Sequence, residues 1–314
     1  MGPVKKLILI DGNAILHRAF HALPPLTNKD GIIVNAVYGF FSMFLKILED
    51  QKPDYIVVCF DKKAPTFRKE LFVGYQAKRP KMSDDLVPQI KLVHDVLGHA
   101  KVEIFEVDGY EADDLIGTIS VQAVEGPVEV YIVSGDRDLL QLVNSKVKMI
   151  APVTGLTNMI IFDEAAVLQK YGIKPSQLVD YKALVGDASD NYPGVAGIGP
   201  KTASTLIKEY ESLENIYKNL EKIKAKNPNL ALKLATDAEA AGLAQKLAQV
   251  VLDAPITLDI EKSNTKFLDR EGLIKQFEKF GFKSLLNRLS NKQQTISNEK
   301  KEEKKKTAEQ MELL

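Results

Sequence analysis

One cysteine, four histidines and no net charge are the scarcities of this 314-residue chain. With Cys59 alone, no intramolecular disulfide can form and a cysteine-based zinc site is excluded. It falls inside the apolar run 55–60 and reads as a buried core thiol. His17 and His21 sit in one helical stretch, and His94 and His99 around another. No apolar run reaches the ~20 residues of a membrane span. Residues 1–10 are too short an apolar run for a secretory leader and lead straight into Asp11. The chain is therefore expected to be soluble and cytoplasmic, with no membrane partner. Lys+Arg and Asp+Glu total 42 each, so no bulk charge advertises a polyanion, although a zero sum can hide local surfaces of opposite sign. Hydrophobic residues make up 45% of the chain, enough for a large core in one or two domains.

Apolar strands and helical periods alternate through the first 160 or so residues. Residues 4–10 read as a buried strand ending at Asp11, with Asn13 as candidate cap of a following helix. Residues 35–49 carry a helical period, and 55–60 form a second strand ending at Asp61. Residues 86–97 are helical, 102–105 a third strand and 128–133 a fourth, running into Ser134-Gly135-Asp136-Arg137-Asp138. Residues 147–150 and 158–162 give a fifth and an edge strand. This order predicts an α/β fold, a mostly parallel doubly wound sheet flanked by helices, with ligands beyond the carboxyl ends of the strands. Residues 1–175 are expected to form this unit. Residues 176–290 are expected to be helical, with helices near 202–210, 213–220, 230–237, 243–252 and 272–280. Residues 291–314 are polar and charged and read as a disordered tail.

Acids mark the strand ends. Asp11, Asp61, Asp136 and Asp138 follow strands directly, and Glu111, Asp113 and Asp114 follow the third by a short turn. Asp187 and Asp190 lie in the glycine-rich run 186–203. A single acid at a helix start needs no explanation, because carboxylates favour a helix N-terminus. Nine acids gathered on one edge could not all stay ionised without cations. Oxygen-only donors suit Mg²⁺ or Mn²⁺ rather than zinc. Two such ions about 3.5–4 Å apart would clamp the attacking and leaving oxygens of a phosphodiester. In a helix beginning near Tyr110, Glu111 and Asp114 share a face while Asp113 points elsewhere. Glu111 and Asp113 are thus expected to touch metal directly and Asp114 through water.

Other motifs are less specific. Asp11-Gly12-Asn13 lacks the second aspartate of a phosphatase nucleophile motif, and Pro200 breaks the P-loop spacing of residues 194–201. Residues 197–203 read as a helix-hairpin-helix turn, whose glycines let backbone N–H groups approach a phosphate. A plain helix–helix connection is the alternative. Residues 62–83 hold Lys62, Lys63, Arg68, Lys69, Lys78, Arg79 and Lys81 against Glu70, interleaved with Phe67, Phe72 and Tyr75. They are either a solvated loop or a single-strand contact, rings stacking on bases and cations following the backbone.

Five ordered runs, at 9–13, 60–68, 109–114, 134–139 and 186–203, resemble the 5′–3′ exonuclease domain of bacterial DNA polymerase I, of the flap endonuclease family. The likeness runs from about residue 4 to 290 and implies a PIN-like, resolvase-like fold. The polymerase and proofreading domains have no counterpart here, so the chain is a stand-alone exonuclease or an N-terminal part. The resemblance implies cleavage of 5′ flaps and removal of RNA primers in DNA replication and repair, on nicked or branched duplexes and primer–DNA junctions, in the nucleoid. It implies that Asp11, Asp61, Glu111 and Asp113 surround one metal and Asp138, Asp187 and Asp190 another, with Asp136 near both. Residues 62–83 become part of a helical arch over the 5′ strand, with Arg68, Tyr75, Gln76, Lys78 and Arg79 on the DNA. The hairpin at 186–210 grips duplex through Gly197, Gly199, Lys201 and Thr202, with a bound K⁺. One departure stands out: the family's arch lysine is Gln76 here, which keeps hydrogen bonding and loses charge. Gln310-Met311-Glu312-Leu313-Leu314 resembles a sliding-clamp peptide. The rival readings are a structure-specific DNA-binding protein with reduced or lost catalysis, favoured by Gln76 alone, and an RNA-directed nuclease, disfavoured by the hairpin.

Overall fold

The computed structural model describes residues 4–290, so the expected tail and the 310–314 peptide lie outside the described residues. Its sheet contains β1 (Lys5–Asp11), β2 (Tyr55–Cys59), β3 (Glu103–Phe105), β4 (Val128–Val133), β5 (Val147–Thr154) and β6 (Asn158–Phe162). They lie side by side as β3-β2-β1-β4-β5-β6, and only the β5–β6 pair is antiparallel. The α/β, mostly parallel fold expected from the strand pattern is the fold observed. Residues Leu7 to Ile10 of β1 are all apolar and buried, as an interior parallel strand covered on both faces requires.

Alternate residues of β1 serve two cores. Ile8 and Ile10 face α1 (Gly12–Ala22), α2 (Asn35–Gln51) and α4 (Val87–His99). Leu7 and Leu9 face α5 (Ala112–Val124) and share a continuous apolar cluster with the helical second half. The basic stretch contains only the short α3 (Phe67–Leu71). After the sheet come α6 (Glu164–Tyr171), α7 (Leu178–Val185), the hairpin β7 (Gly186–Asp187) and β8 (Tyr192–Pro193), α8 (Pro200–Tyr210), α9 (Leu213–Lys218), α10 (Leu220–Lys226), α11 (Pro228–Thr236), α12 (Ala238–Ala248) and α13 (Arg270–Phe280). The helix expected at 213–220 is shorter, ending at Lys218, and after Asn219 a separate helix begins at Leu220. The one expected at 243–252 starts earlier and stops at Ala248.

It stops because the next residues have partners elsewhere. Asp114, Thr118 and Gln122 form an i, i+4, i+8 polar stripe on α5. They accept the backbone N–H groups of Val251 at 2.9 Å, Ala254 at 3.0 Å and Leu258 at 2.8 Å. Gly117 lets the two segments approach: a Cβ there would lie 2.6 Å from Val250 Cγ1 and 2.9 Å from the Val251 carbonyl oxygen. Residues 250–258 thereby run as a strap that fixes α5 against the sheet. No helix among the described residues is long and apolar enough to cross a membrane.

Candidate metal centre

Parallel pairing brings the carboxyl ends of β1, β2 and β4 to one edge, and α5 starts above it. Asp11 ends β1. Its Oδ1 accepts the Ala14 N–H at 2.9 Å, so Asp11 caps α1, not Asn13 as expected; its Oδ2 accepts the Ser134 hydroxyl at 2.6 Å. Asn13 instead takes the Asp61 N–H on Oδ1 at 3.0 Å, because its side chain reaches across to the neighbouring strand end. Ser134 Oγ accepts the Asp136 N–H, and Asp136 Oδ1 the Asp138 N–H, each at 2.9 Å. Asp61 Oδ1 accepts the Ala112 N–H at 2.7 Å, tying the end of β2 to the start of α5. Burial, countered by the Ser134 and Ala14 hydrogen bonds and reinforced by Asp61 and Asp136, lifts the Asp11 carboxyl to about 7. Burial, then the charges of Asp136, Asp11, Asp61 and Asp138, pushes Asp113 well above the usual carboxylate range. Asp113 therefore stands among the other acids of the edge.

A second group forms where the hairpin meets this edge. Asp138, Asp187 and Asp190 each offer an oxygen within 4.8 Å of the others. Lys182 of α7 donates to both Asp138 and Asp187, at 2.5 Å to the latter. Against the burial that would raise it, Lys182 and Ser189 hold Asp187 at about 2. Burial and Asp136 outweigh Lys182 at Asp138 and lift it to about 7. Lys182 and Ser134 are the residues that sequence reasoning passed over. A helical lysine reads as solvated, and a serine after a strand reads as a turn former, so neither carried a signal.

The basic stretch departs most from expectation. Tyr75, expected on nucleic acid, is 3% exposed, and its hydroxyl lies 3.1 Å from Glu111 Oε2 and 3.3 Å from Asp190 Oδ2, between the two acid groups. Thr66 Oγ1 donates to Glu111 Oε1 at 3.0 Å. Arg68, also expected on nucleic acid, is buried: Nη1 and Nη2 bond Asp114, while Nε and Nη2 reach the carbonyls of Leu247 and Gln249. Asp114 has no free oxygen for a water-mediated metal contact. Arg68 takes both, the Glu111 N–H adds to Oδ2, and the Val251 N–H adds to Oδ1. Its work is to hold α5, α3 and the strap together. Arg79 remains at the surface, its side chain 48% exposed, with Nη2 2.5 Å from Asp190 Oδ1. Gln76 has a left-handed backbone (φ 55°), its N–H bonds the Asp190 carbonyl at 2.8 Å, and Lys78 is exposed. Gly197 (φ +73°) and Gly199 lead into α8, where Lys201 is exposed and Thr202 half-buried.

These donors fit hard divalent cations. Every candidate atom is an oxygen, and the acids are more numerous than the cations Arg68, Arg79 and Lys182 that neutralise part of their charge. Buried carboxyls lifted toward neutrality are what such a cluster does when the protein alone must carry it.

Family profiles match almost the whole described chain. That for a 5′-3′ exonuclease, N-terminal resolvase-like domain, matches residues 6–172, and that for a 5′-3′ exonuclease, C-terminal SAM fold, matches residues 173–271. DNA polymerase I of Caldicellulosiruptor bescii is 43% identical over 90% of this chain, which spans only 33% of that protein. The 5′-3′ exonuclease of Aquifex aeolicus is 37% identical over 91% of this chain and 96% of its own length. Among solved structures, the bacteriophage T5 D15 flap endonuclease in a pseudo-enzyme–product complex with DNA and metal ions superposes with a TM-score of 0.65 at 17% identity, covering 91% of this chain and 97% of that one. This last likeness bears on the fold.

Proposed function

This chain belongs to the 5′–3′ exonuclease family, and from that premise we propose that it hydrolyses phosphodiesters at 5′ flaps and 5′ ends of DNA, and at RNA primer–DNA junctions. One observation carries the reading: the acids of the sheet edge and those of the β7–β8 hairpin converge, with Asp138, Asp187 and Asp190 offering oxygens within 4.8 Å of one another.

Two Mg²⁺ or Mn²⁺ ions are the proposed cofactors, Asp11, Asp61, Glu111 and Asp113 holding one and Asp138, Asp187 and Asp190 the other, with Asp136 beside both. Bound there, they would supply Lewis acidity to the phosphodiester. The chain's own groups set the stage. Tyr75 spaces Glu111 from Asp190. Ser134 keeps Asp11 in register with the Asp136–Asp138 turn. Arg79 is accessible and, among the described residues, its guanidinium bonds Asp190 alone, so it can turn to a substrate phosphate. Gln76 and Lys78 line the same stretch. The hairpin Gly197, Gly199, Lys201 and Thr202 would hold a duplex phosphate at the start of α8, with K⁺ as counter-ion. Docking on a sliding clamp through residues 310–314 and residence at the nucleoid belong to the same proposal.

The test is a 5′-labelled flap duplex with Mg²⁺, cut by the wild type and by Asp136→Ala, beside single-stranded RNA. Flap cleavage abolished by Asp136→Ala supports the proposal. Binding without cleavage points to the DNA-binding reading instead, and preferential cutting of the RNA to an RNA-directed nuclease.

A further inference from the structure

Arg137 stands between Asp136 and Asp138 yet takes no part in their network. Among the described residues it has no hydrogen-bond acceptor and no carboxylate at ion-pair distance, and its Nη1 is closed from solvent without a partner. Its guanidinium lies over the ring of Phe162, 4.9 Å from the centroid. Lys170, in the last turn of α6, brings Nζ to 5.2 Å from the same ring and 5.5 Å from that of Tyr171. Lys170 likewise has no carboxylate partner among the described residues. Two like charges are thus held at one aromatic ring with no anion between them. Burial, and next the charge of Arg137, lowers Lys170 from its ordinary range.

Packing on an aromatic face explains where each cation rests but not why two share a ring without a counter-ion. Elsewhere in this chain the cations beside the acid cluster, exposed Arg79 and half-buried Lys182, each have acids. We infer that Arg137 and Lys170 seat a backbone phosphate of the bound DNA on the β6–α6 side of the acid cluster, apart from the 62–83 stretch and the 186–210 hairpin. The inference rests on the nuclease reading above. A guanidinium presents a planar fork of donors to phosphate oxygens, and an ammonium on a flexible stem adds a point charge. Because Arg137 is bracketed by Asp136 and Asp138, the seated phosphate neighbours the one to be cut. Phe162, 4% exposed, is the fixed platform under both cations.

The number of phosphates neutralised is read from salt dependence. Flap-duplex binding is followed by fluorescence anisotropy in EDTA, where no turnover occurs, over a KCl series. The double variant Arg137→Gln/Lys170→Gln should make the slope of log K against log[KCl] shallower by about 0.9, the share of the one phosphate the pair seats, and Arg137→Gln and Lys170→Gln alone should each make it shallower by part of that. Lys170→Arg should keep the wild-type slope. Unchanged slopes in variants that melt cooperatively by circular dichroism overturn the inference and leave the pair as packing on Phe162. Should Arg137→Gln fail to fold, the exposed Lys170→Gln decides alone. If the wild type shows no salt-dependent binding to the duplex, the nuclease reading itself falls, a result told apart because it needs no variant.

Discussion

Arg68 and Asp114 meet in a two-pronged ion pair, Nη1 to Oδ2 at 2.7 Å and Nη2 to Oδ1 at 2.8 Å, with side chains 3% and 0% exposed. Losing one partner strands a buried charge, at a cost of about 3–5 kcal/mol. Arg68→Met and Asp114→Leu should each lower the urea midpoint accordingly, and the double variant should regain much of the loss. A double-mutant cycle by urea unfolding measures this. Simple additivity would show that the pair does not couple.

Lys182 occupies the gap between Asp138 and Asp187. Lys182→Met leaves two acids facing each other, so the metal-free protein should melt lower, by a loss of about 3–5 kcal/mol. A divalent cation can take over the vacated contacts. Adding Mn²⁺ should therefore raise the melting temperature of the variant by more than it raises that of the wild type. Differential scanning fluorimetry in EDTA and in MnCl₂ checks it, and equal rises refute it.

Asp11 and Asp138 each titrate near 7 in the folded, metal-free chain, against 3.8 for an unperturbed carboxyl. Between those values the folded state holds more protons than the unfolded one, so stability falls as pH rises through that window and levels off above it. Asp187, held at about 2, acts in the opposite sense but below the window. In EDTA the melting temperature should thus drop between about pH 5 and pH 8. Because ligands must lose protons to bind metal, Mg²⁺ uptake at about pH 6 should release roughly one to two protons per chain. Titration calorimetry in buffers of different ionisation enthalpy counts them, and no release would show that these carboxyls do not bind the ion.

Gln76 is tethered through its N–H to the Asp190 carbonyl, next to the acid that Arg79 reaches. A lysine there restores a charge where negative charge builds on the phosphate. Gln76→Lys should raise the single-turnover cleavage rate by about tenfold. Quench-flow on a flap substrate measures it, and an equal or lower rate sinks the idea. The left-handed backbone at φ 55° is no harder for lysine than for glutamine, so folding should not interfere.

The sheet and its edge were legible because buried parallel strands are unbroken apolar runs, and the acid after each run lands on one side by topology alone. Ser134, Tyr75 and Lys182 were not legible in their observed roles, since each depends on side chains more than thirty residues away or on another element. Arg68 misled for the same reason. In a basic stretch it reads as solvent-facing, and the carbonyls of Leu247 and Gln249, with Asp114 and Glu111, make its burial tolerable. Asp114 could be placed on its helix face from sequence, but not the strap that covers that face.

That strap also imposes an order on synthesis. The sheet is complete at Phe162, yet Asp114, Thr118 and Gln122 wait for Val251, Ala254 and Leu258, contacts that span well over a hundred residues. Contacts so distant along the chain close late. A nascent chain leaving the ribosome would carry Asp113 and Asp114 for a long interval on a helix not yet anchored, so cutting competence should appear only after residues 250–258 have emerged, not when the sheet is complete.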